Sequence, residues 1–145
     1  MLDEKAFKTV VDLMPLISID IILMKNNKIL LGRRNNKPAQ GYFFTTGGRV
    51  KKNETLNSAL DRIAKDELNV VLKLKPKFLG IFEHFYNDSI YENVSTHYVN
   101  LAYIYEVQEI NSLPTEQHSE YRWFGISELK ENKHVHKYVK DYFKG

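Results

Sequence analysis

A chain of 145 residues with 43% apolar content and a formal net charge of +3 is sized for one soluble globular domain over residues 1–145, and that charge is too small to argue for a nucleic-acid partner. With no cysteine it makes neither disulfides nor thiolate metal sites. The apolar run from Val10 to Met24 is broken by Asp12, Pro15 and Asp20, which excludes a membrane span, and the opening Met-Leu-Asp-Glu-Lys lacks the cationic region of a secretory signal, so the expected location is cytoplasmic.

Glu4 to Leu13 has helical character and stops before Pro15. Leu16–Leu23 and Lys28–Gly32 are β-rich runs joined by a hairpin turn at Asn26-Asn27. Arg33 to Gly41 reads as a polar loop, Tyr42–Phe44 as a short strand and Gly47-Gly48 as a turn. Asn53 is the expected cap of the next helix, with Glu54 in its first turn, and Leu56, Leu60, Ile63, Ala64 and Leu68 fall on one face of it. Phe78–Tyr86 and His97–Val107 read as strands, Pro114–His118 as a loop and Tyr121–Phe124 as a last strand. Ser127 is the expected cap of a short helical turn, and His134–Phe143 reads as a terminal helix. Mixed strands with a few helices give an α/β or α+β sandwich.

The chemistry concentrates between positions 33 and 68. Arg33, Arg34, Lys37, Arg49, Lys51 and Lys52 cluster around the paired glycines. Such a cluster is either a solvated basic face or a polyanion pocket, and its place beside the glycines favours the pocket. Paired glycines let backbone groups approach a ligand closely. On the helix that follows, Asp66 and Glu67 lie within one turn of Ile63. Magnesium typically takes one or two protein carboxylates and completes its shell with waters and substrate phosphates, so the segment suits a metal–diphosphate clamp better than a closed metal cage.

This segment resembles the Nudix hydrolase signature, with Gly48, Glu54, Arg62 and Glu67 in matching places. Three places depart: Ile63 replaces a glutamate that many members use for metal and catalysis, Asp66 stands for a glutamate, and Asn69 for a glycine. Pro38–Phe43, Gly47–Val50, Thr96–Val99, Pro114–His118 and Tyr121–Trp123, with Thr9–Val11, resemble the GDP-mannose mannosyl hydrolase subgroup, which itself lacks that glutamate. Thr46 departs from the proline usual there. The resemblance implies a Nudix-like α/β/α sandwich with a mixed β-sheet. It also implies a homodimer, a GDP-sugar substrate with GDP-mannose foremost, and Mg²⁺, for which Mn²⁺ is an alternative because hard oxygen ligands suit both. Water would enter at sugar C1 with inversion and GDP would leave whole.

The same resemblance distributes the roles. His118 is the candidate general base, its ordinary pKa of about 6.5 suiting the task. Gly47 through its carbonyl, Glu67 and Gln117 are the candidate metal ligands. Arg34, Arg49 and Arg62 would stabilise the departing phosphates, although Arg62 reads equally well as a brace for Glu54. Asp20 would orient His118 or a sugar hydroxyl. Leu2 and Phe7 lie in a segment that approaches the nucleotide in relatives, though Phe7 reads first as a packing aromatic. Tyr98 is either core or a sugar or diphosphate contact. His84 and His97 read first as hydrogen-bonded packing residues, and His134 and His136, two apart, are no metal pair. Two rivals stand beside this reading: a conventional Nudix pyrophosphatase attacking phosphorus, and a non-catalytic nucleotide-sugar binding module.

Overall fold

The computed structural model describes residues 3–144; Leu2 lies outside them. In chain order the elements are α1 (Glu4–Leu13), β1 (Leu16–Lys25), β2 (Lys28–Arg34), β3 (Phe43–Phe44), β4 (Thr46–Arg49), α2 (Leu56–Leu68), β5 (Lys77–Tyr86), β6 (Thr96–Glu106), β7 (His118–Gly125), α3 (Ile126–Glu131) and α4 (Lys137–Asp141). The sheet runs β3-β2-β1-β6-β5, with β4 also on β1 and β7 also on β2. Among the described strands only β1 and β6 pair with each other in parallel. The expected α/β sandwich with a mixed sheet is observed. Among the described residues no helix is long and apolar enough to cross a membrane.

β1 is the central strand and is buried on both faces, as its nearly continuous apolar run requires. Ile19, Ile21 and Leu23 point toward α2 and pack with Leu60, Ile63 and Leu68. Ile22 points the other way, into a second cluster with Phe124, Leu129 and Val139 from β7, α3 and α4. Asp20 and Ser18 share the parity of Ile22. One edge of β1 forks: Ser18–Ile21 pair with β4, and Met24–Lys25 pair with β2. The hairpin between β1 and β2 turns through Asn26 and Asn27, both at positive φ (51° and 62°), the conformation that a two-residue hairpin demands and asparagine tolerates.

Several expectations need correction. Gly47-Gly48 is no turn but part of β4. The glycine is required by contact: a β-carbon at Gly47 would sit 2.3 Å from the Ile19 carbonyl oxygen. The cap of α2 is Thr55, which accepts from Ser58 N at 3.1 Å, not Asn53. Glu54 precedes the helix because its carboxylate is held by Arg62 and by Lys51 N. Asn69 ends α2 in the left-handed region (φ 54°), where asparagine is the usual substitute for glycine. Gly125, not Ser127, is the N-cap of α3. The terminal helix is only Lys137–Asp141, because the backbones of His134 and His136 are tied to Phe43 at 2.7 and 3.1 Å and His136 caps the helix instead.

Candidate active site

A cavity of about 310 Å³ opens beside the fork of β1. It brings together Asp20 from β1, Arg34 from β2, Gly47 and Arg49 from β4, Arg62 and Glu67 from α2, Tyr98 from β6, and Gln117 just before β7. A second cavity of about 290 Å³ shares Arg34, Pro38, Tyr98 and Gln117 with the first and adds Phe7 and Tyr91. Phe7 meets Tyr91 edge-on at 6.3 Å and carries the Arg49 guanidinium 4.8 Å from its ring centroid.

Four cationic residues line the first cavity, Lys51 and three arginines that are engaged differently. Arg62 is spoken for: its Nε and Nη2 donate to Glu54 at 2.7 and 2.9 Å, and Nη2 also donates to the Arg49 carbonyl at 2.8 Å. The bracing alternative describes these contacts. Arg49 lies on Phe7. Arg34 donates from Nε to the Pro38 carbonyl at 2.8 Å, and its charge acts on Asp20, Glu67, Tyr98 and His118 alike. It is therefore close enough to four groups of the site to bias the charge of each.

Glu67 and Gln117 meet at one corner, where Gln117 Nε2 lies 3.5 Å from Glu67 Oε1, and Gly47 lines the same cavity. A carboxylate, an amide oxygen and a peptide carbonyl are the hard donors that magnesium or manganese prefers. Burial raises the Glu67 pKa, and the neighbouring charges of Asp66 and Glu116 push it further up while Arg34 and Arg62 pull it down. A cation at this corner would relieve that repulsion, so the residues fit a divalent ion. Among the described residues no cluster of three or more His, Asp or Glu side chains forms a closed metal cage. The remaining ligands would come from substrate phosphate and water.

Asp20 is 8% exposed and is raised to about 6 by burial, against the opposing hydrogen bonds of Tyr142 and Thr45. Its partners are these hydroxyls, Thr45 at 2.8 Å, and not His118. His118 is the largest departure from expectation. It is the first residue of β7 rather than a loop residue, it is 2% exposed, and it lines neither cavity. Its ring fills the space left by Gly32, where a β-carbon would come within 2.6 Å of Cδ2. Burial, then the charge of Arg34, lowers its pKa to about 4. The imidazole is therefore neutral near pH 7, with Nε2 unpartnered and Nδ1 3.4 Å from the Tyr121 hydroxyl.

Sequence reasoning missed His84. It lines the cavity, is 4% exposed, has no partner for Nε2, and is lowered to about 4 by burial and then by His136. A buried polar atom without a partner is uncommon, and this one belongs to a residue that lines the cavity. Its sequence surroundings, Phe82 to Tyr86, carry only the signal of an aromatic strand. Ile63, in the place of the signature glutamate, is 1% exposed and packs where a β-carbon on Gly48 would come within 3.1 Å of it.

Comparisons with known proteins bear on the family and the fold. A family model described as the NUDIX domain matches residues 14–143. The chain is 38% identical over 122 residues to the low-salt glycan biosynthesis protein Agl8 of Haloferax volcanii, covering 83% of this chain and 78% of that one. It is 30% identical over 131 residues to an ADP-ribose pyrophosphatase of Methanocaldococcus jannaschii, covering 90% and 74%. The solved MutT protein of Methanosarcina mazei superposes with a TM-score of 0.74 at 19% identity, over 89% of this chain and 91% of that one, a likeness of fold.

Proposed function

The chain belongs to the NUDIX family, and from that premise we propose that it hydrolyses a GDP-hexose, GDP-mannose foremost, to GDP and free sugar. The observation that carries the reading is Ile63. Where the wider family has a glutamate to assist at phosphorus, this helix turns an apolar, 1% exposed side chain into the core. The cavity keeps the means to hold a diphosphate, in Arg34 and Arg49, but lacks a carboxylate at that position to prime water against it.

In the proposed reaction a water oxygen bonds to sugar C1 from the face opposite the leaving group. The C1–oxygen bond breaks, and GDP departs with the electron pair. A divalent ion held by Gly47, Glu67 and Gln117 would neutralise charge on the diphosphate. Arg34 and Arg49 add donors where charge grows on the phosphates, and Arg62 keeps the Arg49 segment in place through its carbonyl. His118 takes the proton from water, which requires its ring to leave the slot over Gly32. A homodimer, by resemblance, belongs to the same proposal.

A specific observation favours a second reading. With His118 buried outside the cavity, the imidazole assigned as base for attack at carbon is not in place, and one relative is named as an ADP-ribose pyrophosphatase. Turnover of GDP-mannose in heavy-oxygen water separates the two. Label in the hexose supports attack at carbon; label in a phosphate, with GMP and a sugar phosphate as products, overturns it in favour of a pyrophosphatase.

A further inference from the structure

Tyr138 and Tyr142 are four residues apart, one on α4 and one at its C-cap, so they share a helix face. From that face each reaches a cavity group on a different strand. Tyr142, 5% exposed, bonds through its hydroxyl to Asp20 Oδ2. The direction of that bond is forced. Ser18 Oγ donates to Asn100 Oδ1 at 2.8 Å, and Asn100 Nδ2 donates to the Tyr142 oxygen at 2.6 Å. The single phenolic proton is thus left for Asp20. Thr45 donates to the same Oδ2 at 2.8 Å. With Oδ2 doubly occupied, Asp20 has Oδ1, against Gly47, to present to a ligand.

Tyr138 does the corresponding work on β5. Its ring stacks on the His84 imidazole, with centroids 4.3 Å apart and planes 5° apart. Its hydroxyl is clamped by Phe85, accepting from the backbone N at 2.9 Å and donating to the carbonyl at 2.8 Å. The imidazole plane is thereby held where His84 lines the cavity, with its Nε2 buried and unpartnered. Neither tyrosine lines the cavity itself.

We propose that this face of α4 is a positioning element: Tyr142 fixes the Asp20 carboxylate and Tyr138 fixes the His84 imidazole in the orientations in which they meet the ligand. The proposal rests on the hydrolase reading above, because turnover is its readout. The removal of one oxygen in Tyr142→Phe keeps the packing ring. Expected with GDP-mannose and Mg²⁺ is a fall in kcat of about tenfold or more with KM moving less than about threefold, since misplacing a reacting group costs rate rather than binding. In an Asp20→Ala background the same substitution should change kcat by less than about twofold, because its route to the ligand is gone. Tyr138→Phe, which loses the clamp on Phe85 but keeps the stack, should lower kcat less than Tyr138→Leu, which loses both; equal kcat in Tyr138→Leu and wild type overturns the Tyr138 half of the proposal. Unchanged kcat in Tyr142→Phe, or an equal loss with and without Asp20, overturns the positioning role while wild-type turnover leaves the hydrolase reading intact. A wild-type chain that releases no guanine nucleotide overturns both.

Discussion

Arg62 and Glu54 are joined at two points, Nε to Oε2 at 2.7 Å and Nη2 to Oε1 at 2.9 Å, and this fork ties α2 to the segment that precedes it. A carboxylate so engaged resists protonation, and the hydrogen bonds from Arg62 lower the Glu54 pKa to about 2 from its ordinary 4.5. The folded state therefore binds this proton less well than the unfolded chain. The stabilisation is fully present above pH 4.5 and is lost as pH falls toward 2. Melting curves from pH 6 to 2 should show a wild-type decline that is shallower in Glu54→Gln. Parallel curves would refute this. Arg62→Lys, which cannot reproduce the fork, should cost about 1–2 kcal/mol in denaturant titration.

Gly47→Ala should disrupt β4. The added carbon would lie 2.3 Å from the Ile19 carbonyl oxygen and 2.4 Å from Asp20 Oδ1, neither of which yields easily. A loss of about 1–3 kcal/mol should accompany loss of turnover, and crystallography of the variant should show β4 displaced from β1. Wild-type stability and activity together would mean that this close approach is not needed.

His118→Gln should reduce turnover by about 10²–10⁴-fold if the imidazole supplies the base. A reduction below about threefold in steady-state kinetics removes that assignment and turns attention to the carboxylate of Asp20, which already borders the cavity.

Ile63→Glu restores the residue type of the wider signature but puts a carboxylate among Ile19, Leu60 and Leu68. Without a partner there it should destabilise the chain by roughly 2–4 kcal/mol and create no attack at phosphorus. Calorimetry and product analysis check the two halves separately, and GMP formation by the variant would contradict the second.

How much could be read in advance follows from how local each signal is. α1 was legible to its ends because Asp3 caps it and Pro15 follows it closely, and the Asn26-Asn27 hairpin was legible because its turn chemistry is contained in two residues. The α2 register was also plain from its apolar face, but its cap was not: Asn53 and Thr55 are both good caps, and the choice depends on Glu54 being drawn to Arg62 eight residues away. The glycine pair was rightly singled out but given the wrong geometry, since a close approach to another strand and a turn ask for the same residue. His118 and His84 show the limit. Whether an imidazole borders a cavity or hides behind Gly32 depends on the pairing of β2 with β7 and β5 with β6, which short-range periodicity does not encode.

The bond from Tyr142 to Asp20 joins positions 122 apart in sequence. During synthesis the carboxylate on the first strand waits for a further 122 residues before its donor emerges, so a ribosome-bound intermediate with most of this sheet assembled still lacks a finished pocket. Contacts of such long range form late, and competence for chemistry should lag behind the burst of secondary structure in refolding.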